Sequence, residues 1–347
     1  MRIVVIFGGM SNEHDVSVRS ANNVINNLNK DKYDLTLIYI DKNGDWYQGV
    51  DSVVHEDIDL NKWKKISNIV SVLKKCDVVF PVLHGKYGED GTIQGLLELL
   101  KVPYVGCGVL ASAIAMDKVY TKLVLEKASI RQAKYVYIRK LEYDYVFIDS
   151  NLNERVFELE EICNQVENNL FYPIFVKPSN SGSSVGISKV SNREELKNGI
   201  VLASKTDNKI LLEENIVGRE IECAVLGNDD IKVSCLGEVK SSCDFYSYDA
   251  KYNDSDSKTI IPAELDEEFT DRVKMIAKKA MRAISGRGIA RVDFFVNDKT
   301  REIYLNEINT MPGFTSISMY PKLWEYSGVS YQNLLDELIQ LALNEKK

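Results

Sequence analysis

The amino-acid sequence lacks the features that mark several large classes of protein. Its uninterrupted apolar stretches, such as Val78–Leu83, fall far short of the ~18–20 residues that a membrane span requires, so we expect no membrane partner. The chain opens on the strand-like run Arg2–Phe7 and shows no cleavable signal pattern, which predicts a cytoplasmic protein. The six cysteines include no Cys-x-x-Cys pair and there are only three histidines, which together argue against a zinc site.

Clustered positive charge is also missing. The 43 Lys and Arg residues are outnumbered by 51 Asp and Glu residues, so the formal net charge is −8. A nucleic-acid surface depends on clustered Lys and Arg, and we therefore expect no nucleic-acid partner. Any polyanionic ligand must then be bound by a few individually placed cations. The 45% of hydrophobic and 27% of charged residues are typical of a soluble globular chain and exclude disordered, collagen-like and coiled-coil proteins.

What the first third of the sequence does contain is an alternation of short apolar strands with helical patterns. The predicted strands are Arg2–Phe7, Leu35–Ile40, Asp77–Leu83 and Val102–Val105, and apolar residues recur at helical spacing between them. This order predicts an open parallel sheet that binds ligands beyond the carboxyl ends of its strands. A helix is expected next, over Val109–Ala128.

Two further lobes are expected in the rest of the chain. The polar stretch Leu141–Arg155 suits a linker, whereas strands dominate from Lys209 onward. The long irregular stretch Ser241–Lys258 interrupts those strands. Its tyrosines argue against disorder and favour a lid that closes over a site. The sequence therefore predicts three lobes and no internal repeat.

The most informative segment is a predicted hairpin formed by Ala290–Val296 and Glu302–Asn309. Alternation with period two gathers polar and charged side chains on one face, namely Arg291, Asp293, Glu307 and Asn309. The same parity adds three apolar residues to that face: Phe295, Ile303 and Leu305. Hard oxygen ligands of this kind suit Mg²⁺. The alternative is a solvated, charged face, which the apolar residues beside the charges disfavour.

A second candidate site is the loop Lys177–Gly186, which is rich in glycine and hydroxyl groups and follows the apolar strand Tyr172–Val176. Gly182 and Gly186 permit a close approach of the backbone, and the hydroxyl and amide groups can surround a phosphate. The segment does not match GxxxxGK[ST], so it is not a P-loop. A plain flexible hairpin loop is the alternative, and the position of Lys177 at the end of a buried-looking strand argues against it.

Two more loops follow predicted strands of the first lobe. The pair Gly8-Gly9 precedes a helix whose N-terminus suits an anionic group, while Glu13 suits a cationic one. An amino acid carries both charges and would satisfy both, although a simple strand–helix turn is the alternative. The loop Leu83–Gly91 combines three glycines with charged residues, which is typical of a binding loop. Its His84 either contacts a ligand or satisfies neighbouring backbone groups.

Taken together, these segments resemble the D-alanine–D-alanine ligases of the ATP-grasp superfamily. The resemblance runs nearly end to end and rests on ordered motifs, which are GGMSNEHDVS, LHGKYGEDGTIQG, MDK, VKPSNSGSSVGISKV, EENIVGREIE, YDAKY, ARVDFFV and NEINTMPGFTSISMYP. It implies an α/β, three-lobed ATP-grasp fold with an N-terminal open parallel-sheet domain over residues 1–117. A central subdomain would follow over 118–208, and a C-terminal one, with the metal site and a lid at 241–258, over 209–347. It also implies a homodimer.

By matching positions, the resemblance implies an ATP site between the central and C-terminal lobes. The lysines that would hold the phosphates are Lys118, Lys177 and, from the lid, Lys251. The loop that would close over them contains Ser183, Ser184 and Val185. The residues implied at adenine, ribose and the rest of the nucleotide are Glu213, Glu214, Ile216, Glu220 and Phe295. Two Mg²⁺ ions, or Mn²⁺ in their place, would be held by Asp293, Glu307 and Asn309.

The resemblance also implies where two D-alanines bind. The residues at the first would be Glu13, which meets its ammonium group, with Val16 and His84. The hydrogen-bonded partners of Glu13 would be Ser183 and Tyr252. The oxyanion would be stabilised by Arg291 and the backbone amide of Gly313, and the second amino acid would face Ser318 and Met319.

The implied activity is ATP-dependent ligation of two D-alanines through an acyl phosphate, for peptidoglycan precursors. The alternative is a relative of the vancomycin-resistance type, which uses D-serine or D-lactate. Such relatives often carry Arg where this chain has Met319, and the lactate enzymes lack the lid tyrosine that is Tyr252 here, so both positions favour D-alanine.

Two alternative functions from other classes fit the sequence less well. Another ATP-grasp ligase would share the metal hairpin and Lys177, but not the segment around Glu13. A non-catalytic nucleotide-binding regulator could have lost its polar hairpin residues, yet all four are present: Arg291, Asp293, Glu307 and Asn309.

Overall fold

The computed structural model describes residues 1–49, 58–149, 151–240 and 258–345. These residues form three sheets, each packed against helices. Lys251, Tyr252 and nearly all of the predicted lid lie outside the described residues, as do the expectations attached to them. No described helix combines the length and the apolar character that crossing a membrane would need.

The first sheet joins three parallel strands to an antiparallel edge. Its strands are β1 (Arg2–Gly8), β2 (Asp34–Ile40), β3 (Trp46–Gly49), β4 (Trp63–Lys65) and β5 (Val78–Val82), in the order β4-β3-β2-β1-β5. β1 is parallel to β2 and β5, whereas β3 and β4 pair antiparallel. The helices of this lobe are α1 (His14–Asn27), α2 (Ile69–Leu73) and α3 (Thr92–Leu100), with a 3-10 turn at Leu60–Lys62.

The strand expected over Val102–Val105 is instead a single parallel bridge between Val79 and Tyr104. Pro103 lies inside this segment, and proline has no N–H with which to extend a ladder. The prediction of a full strand was therefore wrong.

The helix expected over Val109–Ala128 is divided into α4 (Val109–Met116) and α5 (Lys118–Lys127). Asp117 lies between them in an extended conformation, and its carboxylate accepts hydrogen bonds from the backbone N–H groups of the first turn of α5. An N-cap of this kind starts a new helix and cannot belong to the middle of one. The break brings Lys118 to the N-terminus of α5.

The second sheet is antiparallel throughout. Its strands are β6 (Tyr135–Lys140), β7 (Tyr145–Ile148), β8 (Glu154–Phe157), β9 (Ile174–Pro178), β10 (Ser188–Val190) and β11 (Lys209–Glu214), in the order β10-β9-β11-β6-β7-β8. The helices α6 (Leu159–Glu167) and α7 (Arg193–Ala203) cover one face of it. The opposite face is open to the cleft described below.

Two sequence-based expectations change in this lobe. The stretch Leu141–Arg155 was expected to be a linker, but it contains β7, whose four residues are all buried, and the start of β8. That prediction was wrong because the polar residues lie at the turns on either side of the strand. β11 pairs between β9 and β6 and so belongs to the second sheet, although the predicted lobe boundary falls just before it. The boundaries themselves stay predictions.

The third sheet is also antiparallel. Its strands are β12 (Arg219–Gly227), β13 (Lys232–Lys240), β14 (Lys258–Ile260), β15 (Gly288–Asn297) and β16 (Glu302–Asn309), in the order β14-β13-β12-β15-β16. The helix α8 (Glu267–Ala283) packs on one face. The helices α9 (Met319–Tyr326) and α10 (Tyr331–Leu343) pack on the other face, in a core that also includes residues of β1 and β5.

The hairpin of β15 and β16 contains a register shift. After the pair Asp293–Glu307, Asn306 is an extra residue on β16 that opposes no residue of β15. One extra residue moves the following side chains to the opposite face of the strand. Ile303 and Leu305 are therefore buried in the core behind the hairpin, with 4% and 2% of their surface exposed. The expectation that these two share a face with Glu307 was wrong.

Candidate active site

A cleft between the three sheets collects side chains from all three lobes. Those that the sequence singled out and that line it include Glu13, His84, Lys118, Lys177, Ser183 and Arg291. Glu307, Asn309, Ser318 and Met319 line it as well. The cleft thus lies beyond the carboxyl ends of β1 and β5, as expected for the first sheet.

Glu13 lies where the first and central lobes meet. Ser183 donates its hydroxyl to Glu13 Oε1. A Cβ placed on Gly182 would lie 2.8 Å from Glu13 Oε2, and one on Gly85 would clash with the same oxygen, so glycine at both positions lets two loops approach the carboxylate. Val16, by contrast, is fully buried within α1.

The loop that carries Ser183 has an unusual backbone. Ser183 and Ser184 have φ angles of 50° and 61°, in the left-handed region that residues other than glycine seldom adopt. The amide of Val185 donates to the carbonyl of Gly182 at 3.2 Å, which closes the turn. This conformation directs the loop toward Glu13 and the cleft.

His84 is buried and both of its ring nitrogens have protein partners. Nδ1 lies 3.1 Å from the carbonyl of Met311, and Nε2 lies 2.9 Å from Ser20 Oγ. Because a carbonyl can only accept, Nδ1 donates to Met311 and Nε2 accepts from the serine hydroxyl. Burial lowers the pKa of His84, although the charge of Glu13 opposes that effect. The neutral imidazole of His84 thus holds the backbone at Met311 in place. A contact between His84 and a substrate stays a prediction.

Glu89 belongs to the same pocket and was not assigned a role from the sequence. The backbone N–H of Gly85 donates to its Oε2 at 2.5 Å. Burial and, after it, the negative charge of Glu13 raise the pKa of Glu89 to about 8. Glu89 is therefore protonated at neutral pH.

Two lysines share the carboxylate of Glu213 in the middle of the cleft. Lys177 on β9 pairs with Oε1, and Lys122 on α5 lies 2.9 Å from Oε2. Burial alone would raise the pKa of Glu213, but the two ammonium groups outweigh it and lower that pKa to about 2. Burial lowers the pKa of Lys122, and the charge of Glu213 opposes that effect. With both lysines charged, the cluster carries one surplus positive charge, which suits a phosphate group. Lys122 was not singled out from the sequence, although its spacing of four from Lys118 places both on one face of a helix.

Lys118 joins α5 to the serine loop. Its ammonium group donates to the carbonyl of Ser181, and its backbone N–H donates to the carbonyl of Ser179 at 3.0 Å. The helix that carries Lys118 and the loop that carries Ser183 are therefore held together. Both line the same cleft as Lys177, which lies near the end of β9.

The cleft continues past the lysines into a second recess between the central and third sheets. It is lined by the residues that the resemblance assigned to the nucleoside, namely Glu214, Ile216, Glu220 and Phe295. Glu220 and Phe295 face each other across β12 and β15. The side chain of Glu214 accepts a hydrogen bond from the backbone N–H of Lys134 at 2.8 Å.

Asp293, Glu307 and Asn309 lie side by side at the end of the cleft. Asn309 Nδ2 is 3.0 Å from Asp293 Oδ2 and 3.4 Å from Glu307 Oε1. Among the described residues, no group of three or more His, Cys, Asp and Glu side chains is arranged to hold a metal ion. Two carboxylates and one carboxamide are nevertheless the kind of donor set that Mg²⁺ takes when phosphate oxygens and water complete its shell. These residues fit a magnesium ion that arrives with a nucleotide.

Arg291 is held between two carboxylates. It donates to Asp293 at 2.8 and 2.7 Å, and its Nε lies 3.1 Å from Glu222 Oε2. Burial opposes the charge of Arg291, but the two carboxylates raise its pKa well above the ordinary value. Glu222 was not singled out from the sequence, although its spacing of two from Glu220 on a strand places both on one face.

The far end of the cleft is formed around the start of α9. A Cβ placed on Gly313 would lie 2.7 Å from Ser318 Oγ, so only glycine allows this approach. Ser318 Oγ accepts from the backbone N–H of Thr315 at 3.0 Å. Met319 follows and is 5% exposed. The predicted residues for a second amino acid are thus adjacent to one another.

The sequence models of two protein families match the chain. They are described as "D-ala D-ala ligase N-terminus", over residues 2–107, and "D-ala D-ala ligase C-terminus", over residues 124–340. The chain belongs to the D-alanine–D-alanine ligase family. Among its curated relatives, the D-alanine–D-alanine ligase of Acetivibrio thermocellus is 48% identical over 371 residues, which cover 99% of this chain and 96% of that protein. The resemblance drawn from the sequence motifs is confirmed.

Solved structures of ligases share the fold. The VanG D-Ala:D-Ser ligase from Enterococcus faecalis superposes with a TM-score of 0.84 at 37% identity, covering 98% of this chain and 99% of that one. The D-alanine–D-alanine ligase from Bacillus anthracis complexed with ATP superposes with a TM-score of 0.74 at 29% identity, covering 99% and 97%. The expected ATP-grasp fold is confirmed, and the chain is an ADP-forming ligase.

Proposed function

We propose that this protein uses ATP to join two D-alanines into D-alanyl-D-alanine, with release of ADP and phosphate, for the synthesis of peptidoglycan precursors. The observation that carries the proposal is the content of one cleft. It brings together a carboxylate for an ammonium group, Lys118 and Lys177 for phosphates and a charged Arg291 beside carboxylates. The names of the relatives and the ATP complex of the Bacillus anthracis enzyme support the choice of substrates.

ATP would lie along the cleft with its nucleoside in the recess next to Glu220 and Phe295. Its phosphates would then reach Lys118 and Lys177, beneath the serine loop. Asp293, Glu307 and Asn309 would hold magnesium, which neutralises phosphate charge when bound. The proposed contribution of Lys251 from the lid lies outside the described residues.

The first step makes the carboxylate of one D-alanine reactive. Glu13 holds the ammonium group of this molecule and thereby orients its carboxylate toward the nucleotide. A carboxylate oxygen attacks the γ-phosphorus, the bond from that phosphorus to the bridging oxygen of ADP breaks, and D-alanyl phosphate forms. Catalysis here consists mostly of positioning and of neutralising charge by Lys118 and Lys177.

The second step forms the peptide bond. The uncharged amine of the second D-alanine attacks the carbonyl carbon, and the electron pair of the C=O bond moves to the oxygen. Arg291 and the backbone N–H of Gly313 stabilise this oxyanion. The nitrogen then gives its proton to water, the electron pair on the oxyanion re-forms the C=O bond, and the C–O bond to phosphate breaks, so that phosphate leaves with the bonding electrons.

The second substrate is proposed to be D-alanine because of Met319. Its buried thioether presents no strong hydrogen-bond donor to a serine hydroxyl, and a site rejects a polar group that it cannot pair. The similarity to a D-Ala:D-Ser ligase makes D-serine the alternative to test.

The test is an assay of phosphate release from ATP with D-alanine, alone or with D-serine or D-lactate, in which mass spectrometry identifies the product. We expect D-alanyl-D-alanine as the main product. Arg291→Ala should reduce turnover about 100–1000-fold through the lost oxyanion contact. Arg301→Ala is the matched control, because Arg301 pairs with Asp266 outside the cleft and turnover should be unchanged.

Other outcomes separate the alternatives. A mixed product with D-serine or D-lactate would assign the chain to the vancomycin-resistance type. Phosphate release only with a different carboxylate and amine would indicate another ATP-grasp ligase, and nucleotide binding without turnover would indicate a regulator. The cytoplasmic location and the homodimer stay predictions.

A further inference from the structure

Lys122 is a buried cation that no step of the proposed reaction uses. Its side chain is 5% exposed and lies 2.9 Å from Glu213 Oε2. It also donates to the carbonyl of Ala133 at 3.3 Å and lies 5.2 Å above the ring of Tyr135. Taking an ammonium group out of water is costly unless it is paired, so a lysine in this position needs a reason.

Lys177 is the more accessible of the two lysines on Glu213. Its side chain is 14% exposed, against 5% for Lys122, and it lies one residue before the end of the strand that leads into the serine loop. Lys122 already donates to Glu213 and to a backbone carbonyl. Lys122 is therefore the anchored lysine of the pair, and Lys177 is the one that borders the serine loop.

The charges explain what the anchored lysine does to its neighbour. With Lys177 alone, the carboxylate of Glu213 would form a neutral pair with it, and a phosphate would have to compete with that pair. With Lys122 present, one carboxylate is divided between two cations, and a positive charge remains for a phosphate.

We infer that Lys122 is a positioning residue that occupies one oxygen of Glu213 and so keeps Lys177 available to a nucleotide phosphate. The inference rests on the proposed ATP-dependent function and adds a residue to it. Lys122 acts through Glu213 and Lys177 and touches no reacting atom. Its removal should therefore weaken phosphate binding most while Lys177 is present.

A double-mutant cycle tests this coupling. Binding of ADP and of adenosine is measured by calorimetry for the wild type, Lys122→Met, Lys177→Met and the double variant. We expect Lys122→Met to weaken ADP binding at least about tenfold, as for a truncated buried charge pair, and to leave adenosine binding within about twofold. In the Lys177→Met background the same substitution should weaken ADP binding by a clearly smaller factor, because only the unmatched charge of Glu213 then acts on the phosphates.

Matched variants guard against simple damage to the fold. Lys127→Met removes an exposed lysine from the same helix and should leave ADP binding unchanged. Lys122→Arg keeps the charge and should restore most of the affinity. Lys122→Gln replaces Lys122→Met if the latter does not fold, and the same loss is expected.

Two results would overturn the inference. One is an equal loss of ADP affinity in both backgrounds, and the other is an equal loss of adenosine and ADP affinity, since either would mean that Lys122 does not act through Lys177. Failure of the wild type to bind ADP would instead count against the proposed function. If the effect of Lys122→Met on ADP binding depends on Lys177 as expected but the protein does not ligate D-alanine, the inference stands and the proposed substrates are refuted.

Discussion

Glu13 and Glu89 are two carboxyl groups in one pocket, and the charge of Glu13 influences the protonation of Glu89. Burial, followed by the charge of Glu13, raises the pKa of Glu89 from 4.5 to about 8. At neutral pH Glu89 therefore adds no second negative charge beside Glu13. A single charge matches the single ammonium group of an amino acid, which is the ligand proposed for Glu13.

Because the pKa of Glu89 is higher in the folded protein than in the unfolded chain, the free energy of unfolding depends on pH. Between pH 4.5 and about 8 the folded protein retains a proton on Glu89 that the unfolded chain has lost, so stability falls as the pH rises through this window. Glu89→Gln lacks this proton. Its free energy of unfolding relative to the wild type should rise across that window and level off above it, as measured by urea denaturation at several pH values.

Glu325→Gln, on the surface of α9, is the control, and its difference from the wild type should not vary with pH in the same window. A constant difference for Glu89→Gln as well would show that the pKa of Glu89 is not raised.

Single residues also show the limit of sequence-based prediction. Lys177, Glu13 and Arg291 stand in recognisable motifs, so they could be singled out from the sequence. Lys122 and Glu222 could not be singled out in this way. The role of a lysine on a helix or a glutamate on a strand depends on the side chain that another helix or strand places beside it. Both are spaced regularly from a predicted residue, yet that spacing alone does not identify which face lines a cleft.

At the scale of helices and strands, the regular segments were predictable and the interruptions were not. The three parallel strands of the first sheet, β1, β2 and β5, follow from their apolar runs, whereas its edge strands β3 and β4 do not. The strands β15 and β16 follow from their alternation. One extra residue, Asn306, reverses the parity of β16, and one capping residue, Asp117, divides an apolar helical pattern in two. Each interruption depends on a single position whose neighbours look the same with or without it.

Asp117 connects a helix cap to the nucleotide site. Its carboxylate caps α5 and accepts hydrogen bonds from Ser179 Oγ and from Lys209 Nζ, both at 2.6 Å. Asp117→Ala should lower the free energy of unfolding by about 1–3 kcal/mol. ADP affinity should fall too, because α5 carries Lys118 and Lys122. Urea denaturation and calorimetry measure the two effects.

Asn192→Ala provides the comparison, because Asn192 caps α7 on the face of the second sheet away from the cleft. It should lower stability by about 0.5–2 kcal/mol and leave ADP binding unchanged. If both variants weaken ADP binding in proportion to their loss of stability, the cap of α5 has no special link to the site.

At the scale of the whole molecule, the first and third lobes share one core. The helix α10 contacts α1 and β5 of the first lobe as well as β12 and β15 of the third. Asn23 on α1 donates to Phe314 O at 2.8 Å, and so does Tyr331 on α10. The central lobe has a separate core beneath α6 and α7. The cleft thus lies between the central lobe on one side and the joined first and third lobes on the other.

Leu335→Ala tests whether this shared core makes two lobes unfold together. Leu335 is fully buried in α10, and a substitution of this kind costs about 2–5 kcal/mol. Hydrogen exchange should speed up in both β1 and β12, because the same core supports them, while β9 changes little. Leu196→Ala, in the core of the central lobe, should do the reverse. If Leu335→Ala affected β12 but not β1, the first lobe would be an independent unit, and Glu13 and Arg291 would not be held in place by the same core.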